Sequence, residues 1–239
     1  MIFPVKVPYV VTPDITKHQG AAYNTQPDSL YIEGKKKEID RFGDQIISSL
    51  PASSSSMATV SRYLEKTDLD LKELALEFEE DIAILKKGVL QAICFCFPSG
   101  FIPSQKVGMN FFDMHLPVED GERLRSASEK VTSLISKEGS MFRRFVWTVT
   151  ALPGLSQHPS LVRPIPTGIK DLYFRTETQT TVGLTDEVCL FFVKVDMHPL
   201  ELIWADAEKR DTLLGSINSM SEDTLTYKNL HGIKKLLNT

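Results

Sequence analysis

Four segments rich in β-branched and aromatic residues most constrain the fold of this chain. They lie at residues 89–97, 142–151, 171–181 and 187–195. Only the last two are joined by a short, hairpin-like turn, at residues 183–186, whereas helices or long loops separate the others. This order favours an antiparallel sheet covered by helices on one face, an α+β fold, over a doubly wound parallel sheet.

Helices are predicted on both sides of these segments in the sequence. Near-helical spacing of apolar residues and N-capping residues predicts helices over 31–50, 55–66, a segment from Asp68 or Asp70 to Gly88, 119–139, 204–219 and 221–237. We interpret the chain as a single domain over residues 1–239, with an extended proline-containing arm at 1–30, a helical region at 31–88, a sheet core at 89–200 and C-terminal helices at 204–237. Phe3, Val7, Tyr9 and Val11 are expected to pack the arm, and the run Lys35-Lys36-Lys37 is expected to be a solvated helix face.

Composition excludes several functional classes. The net charge is −4 and acidic and basic residues are interspersed, so no nucleic-acid or anionic-membrane surface is predicted. The three cysteines form a poor disulfide framework, which favours a reducing cytoplasm. The N-terminal segment is interrupted by Pro4, Lys6 and Pro8, so it is expected to be neither a signal peptide nor a membrane span.

The stretch 89–118 is the first place to look for a site. Here an apolar strand is followed by a loop carrying Lys106 and an aromatic segment that ends in His115. An imidazole that follows Phe111 and Phe112 suits an axial haem ligand, because the macrocycle needs an apolar pocket and the iron a neutral nitrogen. A core histidine without a ligand role is the commoner alternative.

Polar residues on the segment 171–181 form the second candidate group. Arg175, Glu177 and Gln179 alternate along a predicted strand and therefore share one face, either as a solvated surface or as the wall of a polar pocket. Lys106 could bind a carboxylate, although an exposed loop lysine is commoner. Trp147, preceded by Arg143 and Arg144, and His158 in the proline-rich loop 153–166 are further candidates. No metalloprotease, Cys-x-x-Cys, phosphate-loop or nucleophile-elbow motif is present.

Several of these stretches together resemble one known family. The sequences at 97–108, FPSGFIPSQKVG, and 114–118, MHLPV, are similar to the "PS-W-P-x-x-K-x-G … IH-x-PV" signature of the haem-dependent oxidative N-demethylase α-subunit family. FEEDIAIL at 78–85 resembles its "Q-E-D-hydrophobic-x-x-L" segment, RTETQT at 175–180 resembles its "R-x-E-R-Q-T-L" strand, and Arg144 with Trp147 adds further support. The order and spacing hold from about Pro4 to Leu202.

The resemblance implies a fold, a cofactor and a reaction. The fold would be a PAS-like antiparallel sheet with helical additions, holding haem b in an apolar pocket. The activity would be that of a monooxygenase, the oxygen-dependent removal of a methyl group from a small secondary amine such as dimethylamine. Electrons would arrive from a reduced nicotinamide through a separate flavin and iron–sulfur reductase subunit.

The resemblance also implies roles for individual residues. His115 would be the iron ligand, Lys106 would bind a propionate or form a structural ion pair, and Arg175 would complete the polar side of the cofactor pocket. Phe111, Phe112 and Trp147 would contact the haem, and Glu177 and Gln179 would be the catalytic polar residues. Phe101, Val146 and Thr178 depart from the family's tryptophan, asparagine and second arginine, and Gly183-Leu184-Thr185 replaces an "R-L-P". An arginine lost from a propionate pocket is a bidentate donor that threonine does not replace.

Two other classes of function stay open at this point. A PAS-like haem protein can be a sensor without catalysis. A haem-free member of the same family could bind a small carboxylate or amine, or act as an interaction module.

Overall fold

A seven-stranded antiparallel sheet forms the centre of the protein, whose computed structural model describes residues 1–67 and 69–239. The strands are β1 (Thr16–Lys17), β2 (Ile47–Ser49), β3 (Asp81–Lys86), β4 (Val89–Cys94), β5 (Met141–Thr150), β6 (Tyr173–Gly183) and β7 (Val188–Pro199). Their order across the sheet is β1-β5-β6-β7-β3-β4-β2, and every neighbouring pair is antiparallel. The predicted α+β class is confirmed, as is the turn between β6 and β7.

Helices flank this sheet. Within the described residues they are α1 (Ser29–Phe42), α2 (Ser54–Leu64), α3 (Leu71–Ala75), α4 (Phe111–Met114), α5 (Glu122–Ser126), α6 (Ser128–Ser136), α7 (Glu201–Trp204), α8 (Ala207–Asn218), α9 (Glu222–Tyr227) and α10 (His231–Leu237). The helix predicted over 31–50 ends at Phe42, and its last residues form β2. The helix predicted over 204–219 corresponds to α8, whereas those predicted over 119–139 and 221–237 are each divided into two.

Helices cover both faces of the central strands, so the expectation of a one-sided cover was wrong. Ile82 and Ile84 of β3 belong to a core cluster that contains residues of α1, α2 and α3. Ala83 and Leu85, which point the other way, pack in a second cluster with residues of α6. A third cluster joins the C-terminal helices to the ends of β5 and β6.

The same two-sided burial explains why β3 was mistaken for a helix. The helix predicted to run to Gly88 ends at Ala75, and Asp81–Lys86 is a strand between β7 and β4. A strand buried on both faces reads as a continuous apolar run, which periodicity alone does not separate from a helix. Asp70 does cap α3, through a capping box with Glu73. The alternative cap, Asp68, lies outside the described residues.

Gly88 has a different role from the predicted helix stop. It forms a two-residue hairpin turn with Lys87 between β3 and β4, and both residues have positive φ, 51° for Lys87 and 74° for Gly88. Positive φ at both central positions is the geometry of a type I′ turn, which matches the twist of the strands it joins. A side chain at Gly88 would also meet the methyl group of Thr132 on α6.

Two expectations about the N-terminal third are corrected by burial. Lys35, predicted to lie on a solvated face, is 0% exposed, whereas Lys36 and Lys37 are exposed. In the arm, Phe3 and Tyr9 pack against the cluster around the C-terminal helices, but Val7 is 56% exposed. Part of the arm, β1, pairs with β5.

Two findings bear on the environment of the chain. None of the helices in residues 1–67 and 69–239 combines the length and the apolar character that crossing a lipid bilayer requires. Cys94, Cys96 and Cys189 are buried free thiols.

Candidate functional site

Strand register places the predicted polar residues on one face of the sheet. Arg175, Glu177 and Gln179 alternate along β6 and so point to the same side. Their direct partners on β5 are Thr148, Val146 and Arg144, and directly paired residues of antiparallel strands share a face. We call this side of β5 and β6 the Arg175 face.

A closed hydrogen-bond network holds the centre of the Arg175 face. Nη1 of Arg175 donates to Glu177 Oε1 at 2.7 Å and to Ser99 Oγ at 2.5 Å. Its Nη2 donates to Phe97 O at 2.8 Å and its Nε to Leu155 O at 3.2 Å. Arg175 is only 1% exposed. The guanidinium therefore attaches the loop after β4 and the proline-rich loop to the sheet, and four of its five N–H groups donate to the protein.

Glu177 is ionised inside this network. Burial by itself would raise the pKa of Glu177, but the charge of Arg175 and the hydrogen bonds from Ser99, Arg175 and Gln179 outweigh it and hold the pKa below its ordinary value. Ser99 donates to Oε1 and Gln179 donates to Oε2 at 2.7 Å. Both oxygens of the carboxylate thus have protein partners.

His115 lies just after the short helix α4, in a half-buried position. The side chain of Asn110 caps this helix by accepting a hydrogen bond from Asp113 N. Nδ1 of His115 is 2.6 Å from Phe111 O, and the His115 ring lies 4.1 Å from the Phe111 ring. Because a carbonyl oxygen only accepts, Nδ1 carries the hydrogen and the neutral ring presents a lone pair at Nε2.

The surroundings of His115 keep its ring neutral. Burial lowers its pKa from the ordinary 6.5 to about 4, the hydrogen bond to Phe111 O opposes this, and the charges of Arg144 and Lys106 add to the lowering. Lys106, at the end of a 3₁₀ turn, donates to Met114 O at 3.3 Å. The structure therefore brings His115, Lys106 and Arg144 into one electrostatic neighbourhood.

Arg144 was part of the family resemblance, but the sequence assigned it no role in the site. It is half-buried, its Nε is buried, and no described residue accepts a hydrogen bond from that nitrogen. The signal available in the sequence was the alternation along β5, which places Arg144 on the face opposite to Trp147, together with the Arg144-x-x-Trp147 part of the family resemblance.

Three other residues are not brought to the Arg175 face. Trp147 pairs with Thr176, so it points to the opposite side, where it stacks on Phe174 with ring centroids 5.9 Å apart. Thr178 pairs with Phe145 and also points away, so a residue at 178 does not belong to the same wall as Arg175. Phe112 is 45% exposed, in contrast to its half-buried neighbour Phe111.

His158, the other histidine considered, has a packing role. It is 0% exposed and stacks on Phe42 of α1 at 3.9 Å. Its Nδ1 accepts a hydrogen bond from Ser160 N at 3.3 Å, and its Nε2 is buried with no partner among the described residues.

The residues around His115 fit a haem group by their donor chemistry. Haem needs one neutral imidazole nitrogen, which His115 has at Nε2, and cations for its carboxylates, which Arg144 and Lys106 supply. Protein-only metal sites are a different case, because the described residues contain no cluster of three or more side chains suited to holding a metal ion. His115 lines neither the cavity of about 260 Å³ beside Tyr9 and Asp120 nor the cavity of about 270 Å³ beside Tyr23 and Lys194.

The pKa of His115 predicts a pH dependence of stability. Between about pH 6.5 and 4 the unfolded chain binds a proton at this residue that the folded protein does not bind, so the free energy of unfolding falls as the pH falls. The loss attributable to His115 is expected to reach up to about 3 kcal/mol. Urea unfolding at pH 4.5 and 7 should show a smaller pH-dependent loss in His115→Gln than in the wild type. Equal losses in the two proteins would contradict the shifted pKa.

Fold and site together define an α+β protein with a buried ion-pair network on one face of its sheet, an arginine with an unsatisfied nitrogen on the same face, and a neutral histidine whose pKa the charge of that arginine helps to lower. Residues 36–237 match the family described as haem-dependent oxidative N-demethylase, alpha subunit-like. The chain belongs to this family. No curated protein was found to match it.

Proposed function

We propose that the protein is a haem-binding, oxygen-dependent oxidoreductase that takes part in oxidative N-demethylation of a small secondary amine of the dimethylamine type. The family membership supports this proposal. The observation that carries it is the His115 ring, neutral and with its Nε2 lone pair free of any described hydrogen-bond partner. We include in the proposal a b-type haem, a PAS-like architecture, a cytoplasmic location and a separate flavin and iron–sulfur reductase as electron donor.

In this proposal the chain's own residues hold the cofactor and orient the substrate. His115 Nε2 would bind the iron, with Phe111 packed on the imidazole and its carbonyl fixing the tautomer. Lys106 would lie toward a propionate. When bound, haem would supply the binding and activation of dioxygen.

Glu177 and Gln179 would act on the amine. Glu177 is ionised, but Arg175 balances its charge and both of its oxygens have protein partners, so its part would be to hold the amide of Gln179 in place. Gln179 is half-buried and uses its Nε2 to donate to Glu177. Its amide oxygen accepts no hydrogen bond from the described residues, which leaves it able to accept one from a substrate N–H.

A second candidate function is a haem-free or haem-sensing PAS-like protein that binds a ligand without catalysis. Two observations favour it. Four of the five N–H groups of Arg175 are taken up by Glu177, Ser99 and two carbonyl groups, and His115 lines neither the cavity beside Tyr9 nor the one beside Tyr23.

Reconstitution with hemin tests the leading proposal. We expect the wild type to bind hemin with a Soret band that shifts on reduction by dithionite, and His115→Ala to lose tight binding because the axial nitrogen is gone. His158→Gln is the matched control, since His158 packs on Phe42, and it should retain the band. Formaldehyde release from methylated amines in the presence of a suitable reductase would then identify the substrate.

Two outcomes would count against this proposal. A wild-type protein that stays colourless with hemin would favour the haem-free alternative. An unchanged Soret band in His115→Ala would move the ligand role away from His115.

A further inference from the structure

We propose that Arg144 anchors a carboxylate group beside His115, as the principal donor to a haem propionate. This inference deepens the proposed function and rests on it for the identity of the ligand. The carboxylate-binding role of Arg144 does not depend on the proposed function, because a guanidinium recognises the carboxylate of a free small acid in the same way.

The first support is the unsatisfied state of Arg144. Its Nε is buried, and none of the described residues accepts a hydrogen bond from it. Neither does any described carboxylate form an ion pair with this guanidinium, in contrast to Arg175 and Arg125. A buried donor without an acceptor costs free energy that a bound acceptor would recover.

The second support is that the two carboxylates whose charges act on Arg144 already have other partners. Glu177 acts on Arg144 electrostatically, but its Oε1 is held by Arg175 and Ser99 and its Oε2 by Gln179. Asp14 is paired with Lys6 at 2.6 Å in an exposed position. Neither of these two carboxylates is therefore left to form an ion pair with Arg144.

The third support is the presence of a second cation near His115. Lys106 is half-buried, and its ammonium group donates only to a backbone carbonyl, Met114 O. Neither Lys106 nor Arg144 forms an ion pair with a described carboxylate, and the charges of both act on His115, so these two cations favour an anionic ligand. A planar carboxylate suits the fork of Arg144, and Lys106 would add a point charge.

Binding of haem and of haem dimethyl ester, which lacks the propionate charges, tests the role of Arg144. The wild type is expected to bind haem about 10- to 100-fold more tightly than the ester, as measured by Soret titration. Arg144→Gln is expected to bind haem more weakly than the wild type by the same factor. It should therefore bind haem and the ester equally well. This comparison isolates the coupling between the guanidinium and the carboxylate.

Arg143→Gln is the matched control. Arg143 pairs with Thr180, points to the other face of the sheet, and donates to Thr180 Oγ1 and Ala21 O. It should discriminate between haem and the ester as the wild type does. If Arg144→Gln also kept the full discrimination, the inference would be overturned.

Should Arg144→Gln fail to fold, Arg144→Lys takes its place. Because lysine lacks the fork of the guanidinium, a preference for haem over the ester that is reduced at least about threefold supports the inference. An unchanged preference overturns it.

The outcome for the wild type separates this inference from the proposed function. If the wild type bound neither haem nor its ester, the proposed function would fail, and the carboxylate site would be tested by calorimetric titration of the cofactor-free protein with succinate. Succinate binding that is lost in Arg144→Gln and kept in Arg143→Gln would support a site for a free carboxylate. Absence of succinate binding to the wild type would overturn the inference as well.

Discussion

Replacement of Arg175 by methionine is expected to lower the free energy of unfolding by about 3–5 kcal/mol, because it leaves a buried charge without its partner. Arg175 is 1% exposed and its guanidinium contacts Glu177 at 2.7 Å. The substitution also removes the donors to Phe97 O and Leu155 O. Two loops would therefore lose their attachment to β6 at the same time.

Chemical denaturation of Arg175→Met, together with a double-mutant cycle, measures this effect. Glu177→Gln removes the carboxylate charge, so in the double variant part of the loss should be recovered. Arg62→Met, at an exposed position on α2, is the control and should change stability by no more than about 0.5 kcal/mol. A loss for Arg175→Met as small as that of the control would mean that the network contributes little to folding.

Replacement of Lys35 by methionine is expected to cost a comparable amount, about 3–5 kcal/mol. The ammonium group of Lys35 is buried and donates to Ala75 O and Phe78 O at 2.9 Å each and to Glu80 O. It also lies 3.6 Å from Asp81 Oδ1, and its attraction offsets part of the rise that burial causes in the pKa of Asp81. Methionine fills a similar volume but leaves three carbonyls without this donor and removes the charge that lies close to the Asp81 carboxylate.

The neighbours of Lys35 provide the control for this prediction. Lys36→Met and Lys37→Met remove the same charge from exposed positions of the same helix, so each should change stability by no more than about 0.5 kcal/mol. If all three variants unfolded at the same denaturant concentration, the buried contacts of Lys35 would have no net effect on stability.

The burial of Lys35 contradicts the solvated face predicted for the run of three lysines. Three consecutive lysines suggest a solvated face, but successive residues of a helix point about 100° apart, so the three do not share a face. Lys35 stands four and seven residues before Ile39 and Phe42, and these three are the buried residues of α1. The helical spacing places position 35 on the buried face of α1. The charge of the lysine led to the opposite prediction.

The candidate site was predictable where it depended on local pattern. Alternation along β6 correctly grouped Arg175, Glu177 and Gln179, because the side chains of a strand point to opposite faces in turn. The same rule, applied across the pairing of β5 with β6, would have separated Trp147 from that group. This rule needs the register between β5 and β6, which the sequence does not provide, because tertiary packing sets the register of strands that are far apart in the chain.

What the sequence determined by itself was four of the seven strands, β4 to β7, together with the α+β class, the family resemblance and the polar alternation on β6. These follow from properties that act over a few residues, such as β-propensity, side-chain period and turn geometry. Only the tertiary structure decided that Asp81–Lys86 is a strand, that Lys35 is buried, and that Arg175 is closed by an ion pair while Arg144 is left without an acceptor. Those outcomes depend on which distant groups meet in the fold, and a buried charge is defined by its neighbours rather than by its position in the chain.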